Sequence, residues 1–144
     1  PTYSDALYVE NAVKHIWIEA NHFYSDGMLT AVNSNGATNL TIRNNYIEGV
    51  LWLLGGTSDS AVTGNEIRST QWLGMSVPTE SIVRDNRIYA DTNPLYVDGA
   101  AIQYSLVADN FYAMYDGSTS GQAPNCGTLN TCTRNWTSGR VPPP

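Results

Sequence analysis

Three acidic side chains near the start of this 144-residue chain stand where they could do chemistry: Glu10, Glu19 and Asp26. Two carboxylates on either side of a glycosidic bond can cleave it, one as acid and the other as base or nucleophile. These three are the catalytic candidates of the sequence. Asp26-Gly27, Asp98-Gly99 and Asp116-Gly117 also read as turns, where Asp and Gly serve the backbone. His22 reads as a surface position. Trp17, Trp52, Trp72 and Tyr46 offer a different chemistry, because aromatic faces suit the apolar C–H faces of sugars. They are the candidates for carbohydrate stacking, with core packing the other reading of Trp52 and Trp72. Cys126 and Cys132 are the only cysteines, and their close spacing predicts a disulfide and an oxidising compartment. With only the distant His15 and His22 beside them they make no zinc spacing, so no metal site is expected. Asn39 in "NLT" and Asn135 in "NWT" match the N-glycosylation pattern. Asn39 falls at a strand start, which counts against it.

The elements that must carry these residues repeat. "IWIEANHFY", "LTIRNNYIE", "SAVTGNEIR", "SIVRDNRIY" and "SLVADNFYA" align on Asn21, Asn45, Asn65, Asn86 and Asn110. A period of about 20–25 residues marks a solenoid. Three residues before each Asn stands an apolar side chain: Ile18, Ile42, Val62, Val83, Val107. Two after stands another: Phe23, Ile47, Ile67, Ile88, Tyr112. Apolar positions recurring at two predict strands on both sides of each Asn. The Asn is expected at the corner, in left-handed backbone, with the five amides stacked into a hydrogen-bonded ladder. A third apolar run, such as "VLWLL" at 50–54, fills out each coil, and "ALYV" at 6–9 fits the same slot. The fold predicted is all-β: a right-handed parallel β-helix of about five coils over residues 1–116, with three strands per coil. The Gly/Ser/Thr/Pro-rich stretch 117–144 reads as an irregular tail or cap.

Outward positions support this register. Stacked coils would pair Glu19 with Arg43, Glu66 with Arg87 and Glu48 with Arg68, about 4.8 Å apart. Net charge is −6 with Lys14 the single lysine, which argues against nucleic-acid partners and anionic membrane surfaces. No apolar run approaches a membrane span and no signal-peptide pattern is present.

"SDALYVENAVKHIWIEANHFYS" (4–25) resembles the stretch of pectate lyases in which a Trp-Ile-Asp-His segment follows an Asp-Ala strand. "AVNSNGATNLTIRNNYIEGVLWLLGGTSDS" (31–60) resembles the coils that follow, and "SIVRDNRIYA" and "SLVADNFYA" the later ones. The resemblance covers residues 4–117. It implies a right-handed β-helix, secretion and a surface for acidic polysaccharide. Members of that family bind calcium through carboxylates and use arginine at the sugar proton. Here Glu19-Ala20-Asn21 stands at the acidic segment, Leu29 and Asn33 at calcium positions, Leu51 or Trp52 at a lysine, and Trp72 and Val77 near the two arginines. Charged catalytic positions have become neutral or apolar. Calcium is expected only if the chain is an active lyase, and otherwise no cofactor.

The reading is therefore a non-catalytic extracellular or virion-surface β-helix, serving as a fibre or spike subunit or as a polysaccharide-binding module. The alternative is a polysaccharide lyase or glycoside hydrolase. A solenoid end needs covering, and the coil at Leu7 and Val9 has no capping helix before it. End-to-end stacking, trimerisation or an upstream segment is expected to supply the cover.

Overall fold

The computed structural model describes residues 6–10, 12–25, 30–54, 56–71, 73–91, 93–96, 103–114, 126 and 128–137. They form strands and no helix. The first coil holds β1 (Leu7–Val9), β2 (Lys14–Glu19) and β3 (His22–Tyr24). The second holds β4 (Thr30–Asn35), β5 (Thr38–Arg43) and β6 (Tyr46–Glu48). The third holds β7 (Val50–Leu54), β8 (Ala61–Thr63) and β9 (Glu66–Arg68), and the fourth β10 (Leu73–Ser76), β11 (Ile82–Arg84) and β12 (Arg87–Ala90). The fifth holds β13 (Asn93–Tyr96), β14 (Leu106–Ala108) and β15 (Phe111–Met114). Two last strands follow, β16 (Thr131–Thr133) and β17 (Trp136–Thr137). Every strand pairs in parallel with its equivalent one coil on, giving three sheets: β1-β4-β7-β10-β13, β2-β5-β8-β11-β14-β16 and β3-β6-β9-β12-β15-β17. This is the expected parallel β-helix.

The predicted core positions face inward. Ile42, Val62, Val83 and Val107 are wholly buried in the second sheet, and Ile47, Ile67 and Ile88 in the third. Val32, Leu51, Met75 and Leu95 stack from the first sheet into the same core. Each buried aliphatic side chain of this size contributes roughly 1.5–3 kcal/mol relative to exposure.

The asparagine ladder is present and longer than expected. From Asn21 through Asn45, Asn65, Asn86 and Asn110 to Asn135, each residue donates its backbone N–H and its Nδ2 to Oδ1 of the next, at 2.9–3.3 Å. The left-handed residue, however, is the one before each Asn: Ala20, Asn44, Gly64, Asp85, Asp109 and Arg134 have φ of 50–66°. The ladder Asn keeps ordinary backbone angles, because the bend is made one residue earlier and leaves its N–H pointing along the stack. A second left-handed column, His15, Asn39, Asp59, Glu80 and Tyr104, turns the chain into the second sheet. Beside it runs a second side-chain ladder. Leu40 N–H donates to Ser60 Oγ, Ser60 to Ser81, Ser81 to Ser105, and Ser105 to Oδ1 of Asn130, at 2.9–3.3 Å.

The boundary at 116 is corrected. β16 and β17 pair with β14 and β15, so residues 131–137 add a partial sixth coil rather than an irregular tail. Cys132 takes the inward slot beside Val107 and packs against the core. It is disulfide-bonded to Cys126, and Asn130 Nδ2 donates to the Cys126 carbonyl at 2.9 Å across the closed loop. A cysteine in an apolar slot and polar flanks hid this coil.

Candidate functional site

The outer face of the third sheet carries two rows of side chains, one on each side of the buried column. The first row is His22, Tyr46, Glu66, Arg87, Phe111 and Trp136. The second is Tyr24, Glu48, Arg68, Tyr89 and Ala113. Strand alternation points both rows away from the central column, though Ala113 at the end of the second row is itself wholly covered, and parallel pairing holds neighbours about 4.8 Å apart. Five aromatic rings and a histidine thus share one flat surface. Tyr24 is 64% exposed and Trp136 52%, so rings at both ends are open to solvent.

These side chains hold one another. The His22 ring meets Tyr46 edge-on at 4.9 Å between centroids, and its Nε2 lies 2.9 Å from Glu48 Oε1. Arg68 Nε donates to Glu66 Oε1 at 2.7 Å. The Arg68 guanidinium lies 5.0 Å over the Tyr89 ring, which contacts Phe111 edge-on at 5.9 Å. Burial, then the charge of Glu48, raises the Tyr46 phenol above its ordinary pKa. Tyr46 therefore stays a neutral hydroxyl donor across the physiological range. Rings held in such contacts present apolar faces at little entropic cost, flanked by carboxylate, guanidinium and hydroxyl groups.

The expected ion pairs are partly rearranged. Arg43 pairs with Glu19: Nη2 donates to Oε2 at 2.9 Å, and Nε lies 2.8 Å from Oε1 without the alignment of a hydrogen bond. Glu66 and Arg87 are in register, but Glu66 binds Arg68, two residues along its own strand. Glu48 and Arg68 are in register, but Glu48 binds His22. A flexible side chain reaches the i+2 neighbour on its own strand, as Glu66 does, or the diagonal neighbour on the adjoining coil, as Glu48 does, as easily as the residue directly opposite.

The sequence candidates lie apart. Glu10 is exposed just after β1. Glu19 is held by Arg43 on the second sheet. Asp26, Trp72, Asp98 and Asp116 lie outside the described residues. Trp17 is 65% exposed on the second sheet, with the Arg43 guanidinium 4.8 Å over its ring. Trp52 is half-buried on the first sheet, in register with Asn33. Of the described stacking candidates, Tyr46 alone is on the third sheet. Of the two sequons, Asn39 lies at the start of β5, where the sequence put it, and is exposed, whereas Asn135 is the last rung of the ladder, with Nδ2 donating to the Val107 carbonyl at 2.9 Å. Among the described residues no three His, Cys, Asp or Glu side chains cluster closely enough to hold a metal.

Comparison with known proteins finds no matching family model, no matching curated protein and no matching solved structure. The resemblance to pectate lyases therefore stands on the quoted segments alone.

Proposed function

We propose that this chain is a non-catalytic module that binds an extended polysaccharide along the outer face of the third sheet. The carrying observation is the pair of in-register rows, with Tyr24, Tyr46, Tyr89, Phe111 and Trp136 interleaved with His22, Glu48, Glu66, Arg68 and Arg87. A polysaccharide repeats an apolar face and a hydroxyl-bearing edge. The face carries a ring on every coil but the third, where Glu66 and Arg68 stand, and so offers a sugar chain both kinds of contact along its length. The five steps from the first coil to the sixth span about 24 Å, enough for several sugar units. The ligand lies along the helix axis, across the strands. We place the protein outside the cell or on a virion surface. The disulfide supports this reading, since such bonds persist in oxidising environments.

The test is titration with a hexagalacturonate and with a neutral β-1,4-linked xylohexaose, followed by calorimetry. Binding by either that is weakened in Trp136→Ala and Tyr24→Ala, and unchanged in Trp17→Ala, supports the reading. Binding that depends on Trp17 and ignores Trp136 places the ligand elsewhere and overturns it.

A further inference from the structure

We infer that the two ends of this solenoid are built for each other, and that a second copy of the chain stacks head to tail on the coil bearing Asn21. The ladder has a direction. Each rung gives its N–H and Nδ2 to the Oδ1 of the rung that follows in sequence. Asn21 therefore ends the column as an acceptor: among the described residues nothing donates to its Oδ1. Asn135 ends it as a donor: its Oδ1 is taken by Asn110 and its Nδ2 reaches the Val107 carbonyl, while its backbone N–H has no acceptor among the described residues. Placing the Asn135 coil of one copy before the Asn21 coil of the next satisfies both ends. Within the chain each rung's Nδ2 from Asn45 onward reaches an earlier carbonyl, as Asn45 does to Ile18. In the stack, Asn21 Nδ2 finds the Cys132 carbonyl of the preceding copy in that place.

The other columns agree. Leu7, Ile16 and Phe23 are only partly buried at the acceptor end, whereas their equivalents one coil in, Val32, Leu40 and Ile47, are at most 1% exposed. The same register sets Cys132 beside Ile18, Trp136 beside His22, and Thr133 beside Glu19. Among the described residues no like charges meet. Parallel pairing continues across the junction, because the edges of β16 and β17 face the edges of β2 and β3 with all strands running the same way. One such contact does not close on itself and yields an open filament. The polysaccharide face would then run unbroken from copy to copy.

Sedimentation of the full chain over a concentration series tests this, with two variants at half-exposed Thr133. That residue lands beside the Glu19 carboxylate of the next copy. Thr133→Lys should tighten self-association several-fold, Thr133→Glu should weaken it several-fold, and the difference should shrink at high salt. A mass that stays at one chain of 15.7 kDa at all concentrations overturns the inference. So does association that both variants change in the same direction, since it would use another surface. The readout is independent of sugar, so failure here leaves the binding reading standing.

Discussion

Asn110 donates its backbone N–H and its Nδ2 to the one oxygen Oδ1 of Asn135, each at 3.0 Å. That contact ties the last coil to the rest and makes Asn110 an interior rung. The cost of losing a rung should therefore depend on its neighbours. Asn65 accepts from two donors of Asn45, gives two bonds to Asn86, and reaches the Ile42 carbonyl. Asn65→Ala should destabilise by about 1–3 kcal/mol through the buried groups left unpaired. Asn110→Ala should cost a similar amount, and Asn21→Ala, at an exposed end, clearly less. Urea unfolding of the three variants gives the order, and equal costs would argue against the ladder.

Gly64 is the one glycine in the left-handed column that precedes the ladder. At φ of 66°, an added Cβ would lie 2.7 Å from Asn44 Oδ1. Gly64→Ala should cost about 1–2 kcal/mol from the left-handed angle alone, with the clash adding to it. The thermal midpoint should fall, more than for Ala61→Gly on the neighbouring strand. No fall would mean that the bend lies elsewhere.

Much of this was legible in the sequence, and the failures have physical reasons. The Asn column was plain because one residue type recurs where its amide must bond the next coil. The left-handed column was hidden because five residue types share its six positions, from Ala20 to Arg134, and the sheet-to-sheet bend dictates the angle. The serine ladder stood in view at Ser60, Ser81 and Ser105, the first letters of three repeated segments, but Leu40 and Asn130 break the identity at its ends. Both outer rows of the third sheet were readable. Reading by residue type points to Tyr46 and to tryptophans, of which Trp17 and Trp52 lie on two other sheets, whereas reading by row picks out Tyr24, Tyr89 and Phe111 beside Tyr46. Trp136 was out of reach until Asn135 was seen to be a rung.

Hydrogen bonding to Arg134, with the attraction of its charge, holds Asp109 below the usual aspartate pKa. A group with a lowered folded pKa stabilises above its unfolded value, near 3.9, and that contribution is lost as pH falls through the folded value. Carbon-detected titration of the Asp109 carboxyl should show a midpoint below that of a free aspartate, and Arg134→Ala should return it upward. Above about pH 5 the pair's contribution should be fully present and should not change with pH.

If the ligand lies along the helix axis, affinity should climb with oligosaccharide length until the chain spans the face, then level off. Removing one exposed ring, Tyr24 or Trp136, should cost about 0.5–1.5 kcal/mol, a few-fold to about tenfold. Calorimetry with a length series from dimer to octamer measures this. A dimer binding as tightly as an octamer would point to a local pocket instead.

The most direct test of the binding account is amide chemical-shift mapping on the labelled chain during titration with hexagalacturonate and with xylohexaose. The account predicts that one of them shifts amides along β3, β6, β9, β12, β15 and β17 together, and leaves the first sheet unmoved. Shifts confined to the first or second sheet, or none with either hexamer at millimolar concentration, would contradict it.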